Sequence, residues 1–219
     1  MILEHDGQSV DFYDKFPRTA KNIGISLSGG LDSSLILYLL VKMIQERSDD
    51  EVTIYPIVCY DVDNESIDEP YTVQRIINWI EDYTGMDEII APISVTPYSH
   101  PSSEKRDVIK ANMLYLQQRF DCEFTLTGIS LGMPEAPRTG EAPWSADSDI
   151  LRLHDLHPHR FPWSTVNKKF ISAQYKKLGI EELATLTNSC TVSSTTPCKV
   201  CWWCEERYWA FNSFDGGVQ

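Results

Sequence analysis

The sequence predicts an α/β protein: a parallel five-stranded sheet flanked by helices, followed by a small cysteine-rich segment. Three observations predict it. From residue 21 onward, short apolar runs alternate with longer stretches of helical periodicity, the pattern of right-handed βαβ crossovers. The first apolar run ends in Ser28-Gly29-Gly30-Leu31-Asp32-Ser33, a turn leading straight into a helix. Four of the six cysteines, Cys190, Cys198, Cys201 and Cys204, crowd together near the C-terminus.

Residues 1–20 are polar and mixed in sign and read as an extension leading into the main domain, over 21–185. The first strand is predicted over 23–27, short and β-branched. Residues 31–45 carry dense apolar positions without Gly or Pro, which predicts a helix packed closely on the sheet. A second strand follows over 52–60 despite Pro56, with a polar exit at Asp61 and Asp63. Val73, Ile76, Ile77 and Ile80 recur at helical spacing and predict a helix over 69–83. A third strand is expected over 88–95, where Pro92 argues for an edge position. The next helix, over 104–120, should turn Val108, Ile109, Met113, Leu114 and Leu116 inward. A fourth strand over 124–128 ends at Gly128. Three prolines and a glycine predict a long loop over 133–144, and a fifth strand is placed over 150–156. A helix over 165–178 precedes the cysteine segment, 186–219.

Composition bounds the function. With 32 acidic and 19 basic residues the formal charge is −13, so the surface repels a phosphate backbone and stable nucleic-acid binding is not expected. No run of about 18 apolar residues suggests a membrane span, and the N-terminus lacks the basic start and apolar stretch of a signal peptide. A reducing, cytoplasmic compartment is expected. Cys59 and Cys122 then read as buried thiols, and the clustered four as metal ligands rather than disulfides.

The Ser-Gly-Gly turn has a physical reading. Glycines allow positive φ and let backbone approach a ligand. The helix behind them points free N–H groups and its positive dipole end at the same place, which makes an anion site. Ser28 and Ser33 add hydroxyls. Asp32 would repel phosphate and so acts through Mg²⁺ or as a helix cap. A bare Gly-Gly turn is most often an ordinary strand–helix junction; the full string in this context points to a nucleotide. It lacks the lysine of the G-x-x-x-x-G-K-[ST] loop. In open parallel sheets ligands sit outside the carboxyl ends of the strands, so the loops after Leu27, Tyr60 and Gly128 converge on one cleft.

The spacing Cys190-x7-Cys198-x2-Cys201-x2-Cys204 offers four thiolates, which complete a tetrahedral Zn²⁺ site with no open position. An iron–sulfur cluster and redox pairing are the competing readings. Cluster motifs of this type carry a further cysteine downstream, and none follows Cys204.

Residues 28–33 resemble the signature of the PP-loop ATP pyrophosphatases, the adenine nucleotide α-hydrolase-like, Rossmann-like fold. The resemblance implies attack at the α-phosphate of ATP: a substrate oxygen is adenylated, pyrophosphate leaves into the turn, and a nucleophile displaces AMP. The cysteine segment narrows this to a similarity with the 7-cyano-7-deazaguanine synthase family of queuosine biosynthesis, across residues 23–211. Asn112-Met113-Leu114-Tyr115-Leu116 resembles that family's Asn-Ile-Leu-Phe-Leu helix, Thr127-Gly128 its fourth-strand terminus, and Lys168 its lysine after Pro162. The resemblance implies a ligase that adenylates 7-carboxy-7-deazaguanine and converts it with ammonia to the nitrile, as a homodimer. ATP and Mg²⁺ would be held by Ser28, Gly29, Gly30, Leu31, Asp32, Ser33 and Ser34, with Tyr60, Asn112, Thr127 and Gly128. Asp32 and Lys168 would serve the chemistry, Lys168 against phosphate charge.

Departures fall at the acceptor end of the motif set. The first cysteine spacing is one residue short, Ile109-Lys110-Ala111 replaces Pro-Gly-Arg, Asn167 stands for Asp, and the Gly-Gln-x-His after the second strand is missing. They leave open a PP-loop enzyme adenylating another modified base or a protein, or a catalytically silent nucleotide-binding module. His154, His157 and His159 form a loop run that is more often solvated than metal-binding. Trp202 and Trp203 are expected to pack the cysteine segment against the domain or a second subunit.

Overall fold

The computed structural model describes residues 1–13, 16, 19–47, 51–62, 68–99, 102–133, 159–193 and 196–215, with backbone alone for 102–106 and 159. Where the sequence suggested an extension, the chain forms a β-hairpin, β1 (Ile2–His5) and β2 (Gln8–Asp11), antiparallel. Its two-residue loop, Asp6-Gly7, has positive φ at both positions, +47° and +73°, the requirement of a type I′ turn. Leu3, Val10, Phe12 and Phe16 from this segment are buried in the main core. Apolar residues spaced among polar ones hid that contribution.

The main sheet has the order β5-β4-β3-β6-β7, with every pairing parallel. Its strands are β3 (Asn22–Ser26), β4 (Thr53–Asp61), β5 (Ser94–Tyr98), β6 (Phe124–Thr127) and β7 (His159–Arg160). Helix α1 (Leu31–Arg47) joins β3 to β4, and α2 (Glu69–Thr84) joins β4 to β5. Helix α3 (Ser102–Phe120) returns the chain past β3 to β6. The crossovers through α1 and α2 run one way along the sheet and that through α3 runs back, which puts α1 and α2 on one face and α3 on the other. Two separate apolar clusters reflect this: the main core, and a smaller one of Ile57, Met113, Leu116 and Cys122 under α3. Helix α1 is buried around most of its circumference, which explains its lack of a polar stripe.

Several boundaries differ from the sequence reading. Residues 89–91 pair with β4 only around Ile54; the third strand starts after Pro92, at Ser94. Ile54 bonds toward that side, so Pro56, two residues on, meets the same interruption and its missing N–H costs no ladder bond. Strand β5 is an edge, as expected. Leu114 is not inward: it is 44% exposed, whereas Met113 and Leu116 are buried. The strand expected over 150–156 lies outside the described residues; the fifth strand is β7. Nearly all of the 133–144 loop, Asp63, His154 and His157 also lie outside them.

Helix α4 (Lys168–Leu178) begins three residues later than expected, because Asn167 caps it. Then follow α5 (Glu181–Leu186) and α6 (Trp202–Phe211), the latter carrying Cys204. No helix among the described residues is long and apolar enough to cross a membrane.

Candidate functional site

The chain leaves β3 and enters α1 through residues 27–30, beside the end of β6. These neighbouring strands lead away in opposite directions, so the crevice at their carboxyl ends is the switch point of the sheet. Gly29 turns there with φ +67°, and a Cβ on it would stand 3.0 Å from Thr72 Cγ2 of α2. Ser34 Oγ donates a tight 2.7 Å bond to the Gly30 carbonyl and is spent inside the turn. The Ser28 and Ser33 hydroxyls are 3.3 Å apart, and Ser28 Oγ accepts from Gly30 N–H at 3.4 Å. Bonds this long are weak and are readily exchanged for a phosphate oxygen.

Gly128, at the exit of β6, closes on the first turn of α1. A Cβ there would lie 2.6 Å from Ser33 N and 2.8 Å from Asp32 C, both backbone atoms that cannot yield. Only glycine lets the two segments meet. Trp163 Nε1–H donates to the Asp32 carbonyl at 3.0 Å, and the Tyr175 hydroxyl to the Leu31 carbonyl at 2.8 Å. The first turn of α1 is therefore pinned from three sides. Burial, with Asp32 adding to it, raises the Tyr175 phenol well above its ordinary range, so it stays a donor.

Asp32 and Lys168 were expected to meet metal and phosphate separately. The structure pairs them: Lys168 Nζ donates to Asp32 Oδ2, across 136 positions of chain. Ser130 Oγ donates to the same oxygen at 3.4 Å. Asp32 Oδ1 is buried without a hydrogen-bond partner among the described residues. Such an atom suits a cation, and the Asp32 carboxylate fits the Mg²⁺ expected at this turn. A second carboxylate, Glu206 of α6, lies 3.6 Å from Lys168 with its side chain 4% exposed. Burial alone disfavours the Lys168 ammonium, but Asp32 and Glu206 outweigh it and hold its pKa above the usual lysine value. The Glu206 carboxyl is raised, by burial first; Lys168 opposes that and Asp32 adds to it. These three groups, with Gly128, Ile129, Ser130, Gly132, Trp202 and Trp203, line a cleft of about 70 Å³.

The other predicted residues divide. Tyr60 and Asp61 end β4 on the same sheet edge, and Thr127 ends β6 beside Gly128. Asn112 is used inside the protein: its amide donates to Cys59 Sγ at 2.8 Å and its carbonyl accepts from Thr96 Oγ1 at 3.1 Å. It ties α3 to β4 and β5. Asn167 accepts from the N–H groups of Lys169 and Phe170 as a helix cap, a task aspartate performs equally well. Its departure from the family motif therefore says nothing about the acceptor.

The four clustered cysteines converge, with their sulfurs all within 4.8 Å of one another and Cys198 Sγ 4.0 Å from Cys204 Sγ. A tetrahedral ion at Zn–S bond length separates its sulfurs by about 3.8 Å, so the set fits one ion after a small contraction. The knuckle between Cys198 and Cys201 turns through Lys199 at φ +62° and aims Cys201 N–H at Cys198 Sγ. Burial works against the Cys198 thiolate, but the backbone N–H groups of Val200 and Cys201 prevail and bring its pKa down to about 7. Arg207 holds the ligand loop from below. It pairs with Asp215 at 2.7 Å and donates to Thr187 and to the Ala184 carbonyl, while Asp215 accepts from Ser189 and Cys190 N–H. Just before Cys190, Asn188 N–H donates to the Gly29 carbonyl at 2.9 Å, binding this loop to the turn.

Sequence reasoning missed Glu206, Ser130, Trp163 and Asn188. Glu206 left one faint signal, its place two residues after a metal-type cysteine.

No family model matches the chain, and no curated protein matches it. Among solved structures it is similar to the U34-tRNA thiolase NcsA from Methanococcus maripaludis with its [4Fe-4S] cluster, a PP-loop ATP pyrophosphatase. The TM-score is 0.51 at 14% identity, covering 75% of this chain and 59% of that one. The likeness shows the fold, and the chain spans less than two thirds of the thiolase's length. A universal stress protein in complex with cAMP matches at TM-score 0.35 and 11% identity, over 67% of this chain and 94% of that one, and adds nothing to this.

Proposed function

We propose that this chain is an ATP-dependent enzyme that adenylates an acceptor oxygen and releases pyrophosphate into the turn at Ser28–Ser33. The observation that carries the reading is the joint placement of Gly29, Asp32 and Lys168 at the N-terminus of α1, with Asp32 Oδ1 left unpartnered. A triphosphate would bring its β- and γ-groups to the α1 N–H groups and the two loosely bonded serines. Mg²⁺ at Asp32 would supply charge stabilisation on the leaving pyrophosphate. Lys168, released from Asp32, would face the same growing charge. The acceptor would enter by the cleft at Ser130, Trp202 and Trp203.

For the acceptor we propose a planar carboxylated base, 7-carboxy-7-deazaguanine by resemblance. Its carboxylate oxygen attacks the α-phosphate and pyrophosphate leaves. Ammonia then displaces AMP to give the amide, and a second adenylation followed by loss of AMP gives the nitrile. No general base is needed, because the carboxylate is already ionised. The cysteine site would hold Zn²⁺ and serve structure. Sulfurs bound to different irons of a cluster lie farther apart than sulfurs sharing one ion, which favours a single metal here over the thiolase's cluster. The net charge of −13 supports a small-molecule acceptor over a tRNA.

The test is turnover with Mg²⁺, ATP, ammonia and the carboxylated deazaguanine, following AMP, pyrophosphate and nitrile. AMP formed with a different carboxylate or base would move the acceptor and keep the chemistry. Tight ATP binding with no AMP across an acceptor panel would reduce the protein to a nucleotide-binding module. Metal analysis of the purified protein decides zinc against iron.

A further inference from the structure

We infer that Glu206 is a positioning residue for Lys168, and that through it the cysteine-bound metal governs how well the turn holds a triphosphate. The inference rests on the nucleotide reading above and adds a residue and a coupling to it.

The geometry is specific. Cys201 starts helix α6 and Cys204 lies in its first turn, so the metal ligands fix the start of the helix that carries Glu206. Glu206 reaches Lys168 at 3.6 Å, and Lys168 pairs with Asp32 at the turn. A second contact runs beside this one, from Asn188, two residues before Cys190, to the Gly29 carbonyl. The cysteine site thus touches the turn through a side-chain relay and a backbone bond.

Stability gives Glu206 one modest reason, a backbone bond accepted from Met133 N–H. Asp32 already neutralises Lys168, and a second buried carboxylate leaves one uncompensated negative charge, which folding disfavours. Function gives a further reason. Mg²⁺ held at Asp32 Oδ1 would offset the carboxylate charge that keeps the lysine at Oδ2, and the lysine would be freer to leave the cleft. Glu206, fixed on a metal-anchored helix, keeps the ammonium beside the phosphates. Without the metal, the first turn of α6 loses its anchor and the lysine its second tether.

The experiment uses the full chain, with Zn²⁺ as the metal probe, and calorimetric affinities for Mg·ATP and for adenosine. Wild type and Glu206→Gln are each measured zinc-loaded and after chelation, with melting curves to verify folding. Glu206→Asp, which withdraws the carboxylate by one methylene, serves as the second variant. Glu206→Gln should weaken Mg·ATP about tenfold and leave adenosine unchanged, with Glu206→Asp intermediate. Chelation should weaken Mg·ATP in wild type but add little in Glu206→Gln, the non-additivity of a shared path. Amide exchange over residues 28–34 should rise on chelation in wild type. Equal Mg·ATP affinity in wild type and Glu206→Gln, or a chelation loss of the same size in both, overturns the role of Glu206 alone. Parallel losses for adenosine and ATP would mark it as merely structural and also overturn it. Absence of ATP binding to zinc-loaded wild type removes the nucleotide reading and this inference with it.

Discussion

Replacing Lys168 by methionine tests the buried trio most directly. Counting Asp32, Lys168 and Glu206, the site carries one negative charge; Lys168→Met makes it two, whereas Asp32→Asn or Glu206→Gln makes it zero. The side chains are 13%, 10% and 4% exposed, so little water is present to screen them. Removing one partner of a buried pair costs about 3–5 kcal/mol, chiefly because a charge is left unpaired. Asp32 keeps the Ser130 hydroxyl and the α1 dipole, which argues for the lower end, about 3 kcal/mol. In a domain of this size that lowers the melting temperature by about 6–12 °C. Asp32→Asn leaves Lys168 paired with Glu206, and should cost only about 1 kcal/mol.

Urea unfolding of the three single variants and of the Asp32→Asn, Lys168→Met double variant measures these terms. The double variant should recover part of the Lys168→Met loss. Burial, with Asp32 adding to it, already raises the Glu206 carboxyl, and Lys168→Met removes the charge that opposes this, so the Lys168→Met loss should shrink as pH falls and Glu206 takes up a proton. If Lys168→Met unfolds no more easily than Asp32→Asn, the trio is not coupled as described.

Gly128→Ala should destabilise by about 1–3 kcal/mol and impair nucleotide binding, because its Cβ meets backbone; Gly179→Ala, at φ +67° with open space around it, should cost about 1 kcal/mol and leave binding intact. Thermal melts with calorimetry separate the two. Asn167→Ala should lose about 1 kcal/mol of cap and Asn167→Asp almost nothing, and a large loss on Asn167→Asp in turnover would return this residue to the acceptor site. Burial, with Tyr83 and Glu46 adding to it, raises Tyr38 to about 12, against about 10 unfolded. Between those values the unfolded chain has lost a proton that the folded chain keeps, so stability falls as pH rises. Melting followed across that window should fall less steeply for Tyr38→Phe, and identical slopes would contradict the assignment.

What could be read from the sequence was what lies close along it. The strand, the Ser-Gly-Gly turn and the buried helix α1 are contiguous, and the cysteine knuckle is set by local spacing. The alternation of strands and helices sufficed for the parallel sheet. Long-range partners were hidden. Read locally, Lys168 is a cation at a helix start, where the dipole offers it nothing, and the resemblance assigned it to phosphate charge. Its partners, Asp32 and Glu206, lie on α1 and α6, and no local pattern joins them. Asn112 matched a family motif and was assigned to the nucleotide, yet its polar atoms are bonded to Cys59 and Thr96. The hairpin had its signal, an Asp6-Gly7 turn between short alternating runs, outweighed by the polar composition around it.

The charge balance at the turn leads to a last expectation. The protein is strongly acidic, and the trio beside the turn is itself negative, so a triphosphate approaches against repulsion. The α1 N-terminus contributes only about half a positive charge, and Lys168 is already occupied by two carboxylates. Binding therefore depends on a cation arriving with the nucleotide. Asp32 Oδ1 is the oxygen positioned to take it, since nothing else among the described residues bonds to it. Titration of ATP without Mg²⁺ should show affinity at least about tenfold weaker, a difference of about 1.4 kcal/mol. Asp32→Asn should flatten that dependence, because it removes the metal ligand and also lessens the repulsion of the free nucleotide. Equal Mg²⁺ dependence in wild type and Asp32→Asn would place the cation elsewhere, leaving the buried oxygen to be explained by structure alone.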